Sequence, residues 1–151
     1  MLNRKKVLAL CVAGGLAIFQ CASVYAATIN SVSGTVQVRK GGGQKKTTAA
    51  SNMSVAKGDI ICTGAGSSAT VTIDGGKKVT LGANTTIYVK NLNTVSQTKG
   101  STVTTGSGKN YSTQVPTAIM GVKGTTYGVQ QKENETYVTL PAGQTHEIYL
   151  I

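Results

Sequence analysis

Ala69, Val71 and Ile73 alternate with Thr70, Thr72 and Asp74. A period of two predicts a strand with one buried face and one wet face. Asp74-Gly75-Gly76 interrupts the run, and Val79 and Leu81 resume it. Keeping both apolar sets on one face puts Ile73 opposite Val79 and Asp74 opposite Lys78, with a three-residue loop Gly75-Gly76-Lys77. A two-residue loop would send the two sets to opposite faces. Upstream, Ile60-Ile61-Cys62 leads into Gly64-Ala65-Gly66-Ser67-Ser68, a turn of the same kind.

The rest of the pattern is similar but weaker. Val32, Gly34, Val36 and Val38 predict a first strand over residues 29–39, kinked or bulged at Gly34. Gly41-Gly42-Gly43 with Lys45-Lys46 and Thr47-Thr48 is expected to be a flexible loop, and Met53 and Val55 lead into a turn at Lys57-Gly58-Asp59. Ile87 and Val89 share a face of a short strand. Residues 92–108 are polar, with Val95 and Val103 as isolated apolar points, and predict weak strands and loops. Tyr111 to Val115 runs extended into Pro116. Strands follow at residues 136–140 and 147–151. No stretch past residue 27 sustains a 3.6 period, and turn signals arrive about every 8–12 residues. The fold class is therefore all-β, a single domain of many short strands, β-solenoid or roll-like or else sandwich-like.

Residues 1–26 stand apart. Arg4, Lys5 and Lys6 precede an apolar run from Val7 to Phe19, and Val24-Tyr25-Ala26 supplies small residues for cleavage. This is the pattern of a secretory signal peptide, and the run is shorter than the ~20 residues of a membrane span. The expectation is a periplasmic or secreted domain over residues 27–151, cleaved near Ala26, with no transmembrane segment after cleavage. Cys11 and Cys21 leave with the leader. Cys62 remains alone, which excludes a disulfide within the mature chain and reads as a small buried residue.

The chain carries 15 Lys and Arg against 5 Asp and Glu, a formal charge of +10. A basic balance raises nucleic acid as a partner. The leader argues against it, as do 6 Tyr, 1 Phe and no Trp for stacking bases. An unknown envelope protein or an anionic polysaccharide is the expected partner, with no nucleic acid. No cofactor is implied.

The candidate chemistry is thin. Gly64-Ala65-Gly66-Ser67-Ser68-Ala69 fits the GxGxxA form of a dinucleotide fingerprint, but opens a strand rather than a helix. Gly106-Ser107-Gly108-Lys109 is a fragment of a phosphate loop without its first glycine, and Asn110 stands where a magnesium-holding hydroxyl belongs. His146 is the one histidine; with Cys62, or with Ser67 and an Asp, it would compose a nucleophile–base pair, and nothing in the pattern orients it. Asp59, Asp74, Glu133, Glu135 and Glu147 show no metal-ligand spacing. No catalytic, cofactor-binding or metal residue is assigned, and the chain is not expected to be an enzyme. Asp59 and Asp74 are expected to bond backbone amides in turns.

In combination these pieces resemble the FecR domain family. The residues carrying the resemblance are Gly58-Asp59-Ile60, Thr63-Gly64, Ser68-Ala69, Asp74-Gly75, Val79, Leu81 and Thr86. Pro116-Thr117-Ala118, Gly121-Val122-Lys123-Gly124-Thr125 and Val129 continue it, and Val32-Ser33-Gly34-Thr35-Val36 fits at the start. The resemblance implies an all-β extracytoplasmic domain. In its best-known setting, that domain belongs to a regulator relaying iron-siderophore status from an outer-membrane receptor to a cytoplasmic sigma factor. The expectation here is a departure from that plan, with no sigma-binding region before the apolar run and no receptor-contacting domain after the β part. Lys123 stands where Arg is usual, and Tyr127 where Phe is common. The expectation is a stand-alone, non-enzymatic module that binds an envelope component or a protein partner, in a setting of signal sensing or relay. The alternative is a structural or adhesive surface protein whose copies join through the edge strand at residues 147–151, as an oligomer.

Overall fold

A computed structural model describes residues 25–73, 76–91, 93–106, 111–122, 126–133, 135–141 and 147–150. The predicted leader, apart from Tyr25 and Ala26, lies outside the described residues. So do Asp74, Lys123 and His146. The fold is all-β: one sheet of 14 strands, curled over on itself. The strands are β1 (Tyr25–Ser33), β2 (Val36–Arg39), β3 (Lys46–Thr48), β4 (Met53–Ala56), β5 (Ile60–Thr63), β6 (Ser68–Ile73) and β7 (Lys77–Leu81). They continue as β8 (Thr86–Asn91), β9 (Thr94–Thr105), β10 (Tyr111–Val115), β11 (Ala118–Val122), β12 (Tyr127–Lys132), β13 (Glu135–Thr139) and β14 (Glu147–Leu150). Among the described residues the only helical element is a short 3-10 turn, Lys40–Gly42. No helix there is long and apolar enough to cross a membrane.

The sheet has two halves that share β9. In the first half the order is β4-β1-β6-β7-β9-β12-β13. In the second it is β3-β2-β5-β8-β9-β10-β11-β14. All pairs are antiparallel except β9 with β10. The halves are called sheet A and sheet B below. The N-terminal part of β9 pairs with β8 and β10, and its C-terminal part with β7 and β12. The polar stretch that read as weak strands and loops is thus the longest strand. Its Thr, Ser and Gln residues are held in a ladder on both edges, and pairing on both edges overrides the lack of apolar alternation.

Two units flank β9 in the same way. β5 in sheet B crosses into the β6–β7 hairpin of sheet A, and β11 in sheet B crosses into the β12–β13 hairpin of sheet A. Val79-Thr80-Leu81 at the end of β7 has a sequence counterpart in Val138-Thr139-Leu140, where β13 ends at Thr139.

Alternation within each strand fills the space between the halves. Ala27, Ile29, Val55, Ala69, Val71, Ile73, Val79 and Leu81 point in from sheet A. Val36, Val38, Ile61, Ile87, Val89, Val95, Val115 and Met120 meet them from sheet B. The predicted faces of the β6–β7 hairpin hold, but its register differs from the predicted one by two residues. Ile73 opposes Lys77, and Val71 opposes Val79, which leaves three residues between the paired ends. Lys78 faces Thr72 in place of the predicted Asp74. The predicted first strand is two. β1 ends at Ser33, and Gly34 (φ 75°) turns the chain from sheet A to sheet B, where β2 begins.

β9 has a constraint of its own. Val95 and Gln97 point inward in its first half, Thr102 and Thr104 in its second. The inward parity changes from odd to even, so the strand turns its face over between them. Gly100 (φ 89°) makes that turn. A Cβ there would lie 2.5 Å from Thr85 Cα and 2.8 Å from Asn84 O, backbone atoms that cannot swing aside. Ser101 N donates to Thr85 Oγ1 at 3.0 Å, and Gln97 Nε2 donates to Gly100 O at 2.7 Å. Gly100→Ala is expected to cost roughly 3 kcal/mol, from backbone strain and the clash together. Gly76→Ala, at a positive φ with open space around it, should cost only about 1 kcal/mol. Urea midpoints of the two variants check the difference.

Candidate functional site

The predicted turn residue Asp59 is 2% exposed and is the centre of a clasp. Its Oδ1 accepts from Gly41 N at 2.8 Å. Its Oδ2 accepts from Ala56 N at 3.0 Å and from Lys40 Nζ at 2.8 Å. Lys40 Nζ also donates to Ser54 O at 2.9 Å. Burial by itself would raise the carboxyl pKa. The Lys40 and backbone hydrogen bonds and the Lys40 charge outweigh it and hold the group below its ordinary value. All its partners belong to the fold, so Asp59 joins the β2–β3 connection to the β4–β5 turn.

Ser67 is also structural. Its Oγ accepts from Thr35 N at 2.9 Å and donates to Ala65 O at 3.2 Å. It ties the GxGxxA stretch, a turn followed by β6 as expected, to the corner at Gly34. Cys62 is not in the core. With Ile61 and Thr63 facing in, the period of two turns Cys62 outward, where it is half-buried and free and receives a long contact (3.8 Å) from Thr86 Oγ1. No nucleophile–base pair is assembled among the described residues, and none of their His, Cys, Asp and Glu side chains form a group of three fit for a metal. Asp74, His146 and residues 107–110 lie outside them.

Sequence reasoning missed a polar seam inside the core. Lys77, Gln97, Thr102, Thr104, Thr113 and Gln131 are all buried, beside Tyr111 and Tyr127. Gln97 anchors the turn in β9: besides Gly100 O, its Nε2 reaches Val129 O at 3.3 Å, and its Oε1 accepts from Thr102 Oγ1 at 2.7 Å. Thr113 Oγ1 and Tyr127 OH share a hydrogen bond of 2.6 Å. Lys77 Nζ sits 5.0 Å from the centre of the Tyr111 ring, a cation–π contact, and burial lowers its amine pKa. Burial pushes the Tyr127 hydroxyl up to about 12 and Tyr111 beyond that, the latter helped by the charge of Tyr127. Tyr111 OH and Thr104 Oγ1 make no hydrogen bond of full geometry, although Thr104 lies near enough both tyrosines to favour their ionised forms. Each of these side chains is at most 4% exposed.

An accessible groove lies on the outer face of sheet A beside β13, which pairs only with β12 among the described strands. Gly128 is its floor, because β12 carries no side chain there between Val103 of β9 and Thr139 of β13. The hollow over it measures 520 Å³ and is walled by Val103, Thr126, Thr139, Leu140 and Pro141. It shares Ser101 and Gln130 with a second hollow of 760 Å³ lined by Asn84, Lys99, Lys132, Glu133 and Glu135. Glu133 and Glu135 thus belong to a surface groove. The three large hydrophobic side chains most exposed among the described residues are Val103 (45%), Tyr137 (50%) and Leu140 (39%). Val103 and Leu140 wall this groove, and Tyr137 stands beside it, paired across the strands with Gln130 of the lining.

The chain matches the family model described as FecR protein over residues 59–145, more than half its length. The match opens at Asp59 of the clasp and runs through β13. β1–β4, with the resemblance at residues 32–36, and β14 lie outside it. No curated protein and no solved structure matches the chain.

The clasp gives a pH dependence with a definite sign. The folded pKa of Asp59 lies below its unfolded value, so as pH falls the unfolded chain takes up the proton first. The stabilisation is complete above the unfolded value of about 3.9 and is lost as pH drops through the folded one. Asp59→Ala should cost about 2–3 kcal/mol at neutral pH. It should also flatten the acid limb of a stability profile measured by urea unfolding.

Proposed function

The chain belongs to the FecR family, and from that premise we propose that it is a non-enzymatic extracytoplasmic module that binds a protein partner of the envelope through the groove over Gly128, in a setting of signal sensing or relay. The observation that carries this reading is that two of the most exposed apolar side chains, Val103 and Leu140, wall one groove, with a third, Tyr137, opposite Gln130 at its margin. Single exposed apolar residues are ordinary on a protein surface, whereas a cluster around a hollow marks an interaction site. The hollow accepts an apolar side chain from a partner, and Ser101, Gln130 and Thr139 supply polar groups at its margin. β13 pairs only with β12 among the described strands, so a partner segment in extended form has a backbone edge to follow. The leader pattern of residues 1–26 supports the extracytoplasmic setting, with the mature chain in the periplasm or secreted.

Gly128→Leu tests the reading with little risk to the fold. A Cβ at Gly128 meets Thr139 Cβ at 3.5 Å and Val103 Cγ2 at 3.9 Å, ordinary contact distances, and the leucine fills the hollow. Immobilised chain and variant are exposed to the same envelope extract. Proteins held by the natural chain should be depleted about tenfold on the variant, with the urea midpoint unchanged. Retention of the same proteins by both would contradict the assignment.

A further inference from the structure

The outer face of sheet B is a second surface of different character. Registers across the sheet align one residue from each of its first seven strands into a single row, Lys46, Arg39, Ile60, Tyr88, Ser96, Gln114 and Ile119, and the backbone register continues to Tyr149 of β14. Seven strands at about 4.8 Å spacing make it roughly 29 Å long. Lys90 adds a third cation beside Tyr88, its Nζ donating to Gln114 Oε1 at 2.5 Å. Arg39 Nε is shielded from water and meets no acceptor within the chain. Among the described side chains no carboxylate faces outward from this sheet. Asp59 is buried in its clasp, and Glu133 and Glu135 lie at the sheet A groove.

We propose that this face binds an acidic polysaccharide laid across the strands, its carboxylates paired with Arg39, Lys46 and Lys90 and its sugar faces set on Ile60, Tyr88 and Ile119. Three cations that meet no carboxylate among the described side chains supply the charge complementarity, and residues 27–151 carry 12 Lys and Arg against 5 Asp and Glu. Ser96 and Gln114 offer hydrogen-bonding partners between the apolar positions, which suits a ligand that alternates hydroxyl groups with apolar ring faces. A single-stranded nucleic acid needs successive aromatic platforms, and the row has one described ring, Tyr88. A protein partner has its apolar anchor site on the opposite half, over Gly128. The proposal takes from the previous reading only the extracytoplasmic setting, and Gly128→Leu leaves this face intact, so the two fail separately.

The test measures binding of the full chain to polygalacturonate, with dextran as the neutral control and oligo(dT) as the nucleic-acid control. Two triple variants remove the same charge from different places: Arg39→Gln with Lys46→Gln and Lys90→Gln on sheet B, and Lys78→Gln with Lys99→Gln and Lys132→Gln, three exposed lysines toward the sheet A side. The sheet B triple should lose about tenfold or more in affinity and the other about twofold. If the sheet B triple does not fold, Lys46→Glu at the exposed edge strand is read in its place. Equal losses in both triples reduce the effect to net charge and overturn the proposal. Undiminished binding by the sheet B variant overturns it as well. Dextran binding as tight as polygalacturonate removes the acidic requirement, and oligo(dT) binding as tight assigns the face to nucleic acid; either result overturns it.

Discussion

One strand has to serve two halves of the sheet with opposite parity, and the rest of the structure depends on how β9 does it. A strand that kept strict alternation from Val95 onward would point Val103 into the core and leave Thr102 and Thr104 outside. The turn at Gly100 reverses this. It sends two threonines inward against Val79, Leu81, Tyr127 and Val129, and Val103 outward to wall the groove. The groove over Gly128 is therefore a consequence of the same backbone turn that closes the core. Gln97 makes the turn stable, since its buried amide bonds the Gly100 carbonyl, the Thr102 hydroxyl and the β12 backbone together.

The core that results changes in character from one side to the other. Around β1, β2, β5 and β6 it is Val and Ile. Toward β9, β10 and β12 it becomes Thr, Gln, Tyr and one Lys. Buried polar groups specify their arrangement only when each finds a partner. Gln97 and the Thr113–Tyr127 pair meet that condition, and Lys77 is placed over the Tyr111 ring. The cost of the seam is paid in desolvation, visible in the raised tyrosine pKa values, and the return is a unique register for β9 between its four partners.

Much of the fold was legible where alternation was strict. β6, β7, β8 and β10 announce themselves through Ala69-Val71-Ile73, Val79-Leu81, Ile87-Val89 and the run to Pro116. The register of the β6–β7 hairpin was not legible, because a charged Lys77 reads as a loop residue. Tyr111, far along the chain, lies against it inside. β9 read as loop because threonine-rich sequence gives no apolar period, and its pairing partners on both edges are non-local. Asp59 was correctly read as a turn residue, although its lysine partner, 19 positions away, was not foreseen. Neither outer face was legible, since a row such as Lys46–Arg39–Ile60–Tyr88 exists only once several strands are in register.

The FecR match from Asp59 onward covers both strand-and-hairpin units that flank β9, while β1–β4 complete sheet A and sheet B on one side. Two unlike surfaces follow from this plan: an apolar hollow beside β13 of sheet A and a cationic stripe on sheet B. Both require β9 to hold the halves together as one body. Native-state hydrogen exchange tests that most directly. The amides of Val95, Gln97, Thr102 and Thr104 should open in one cooperative unit, with protection free energies within about 1 kcal/mol of one another. Opening of the Thr102–Thr104 half at markedly lower free energy than the Val95–Gln97 half would contradict the account.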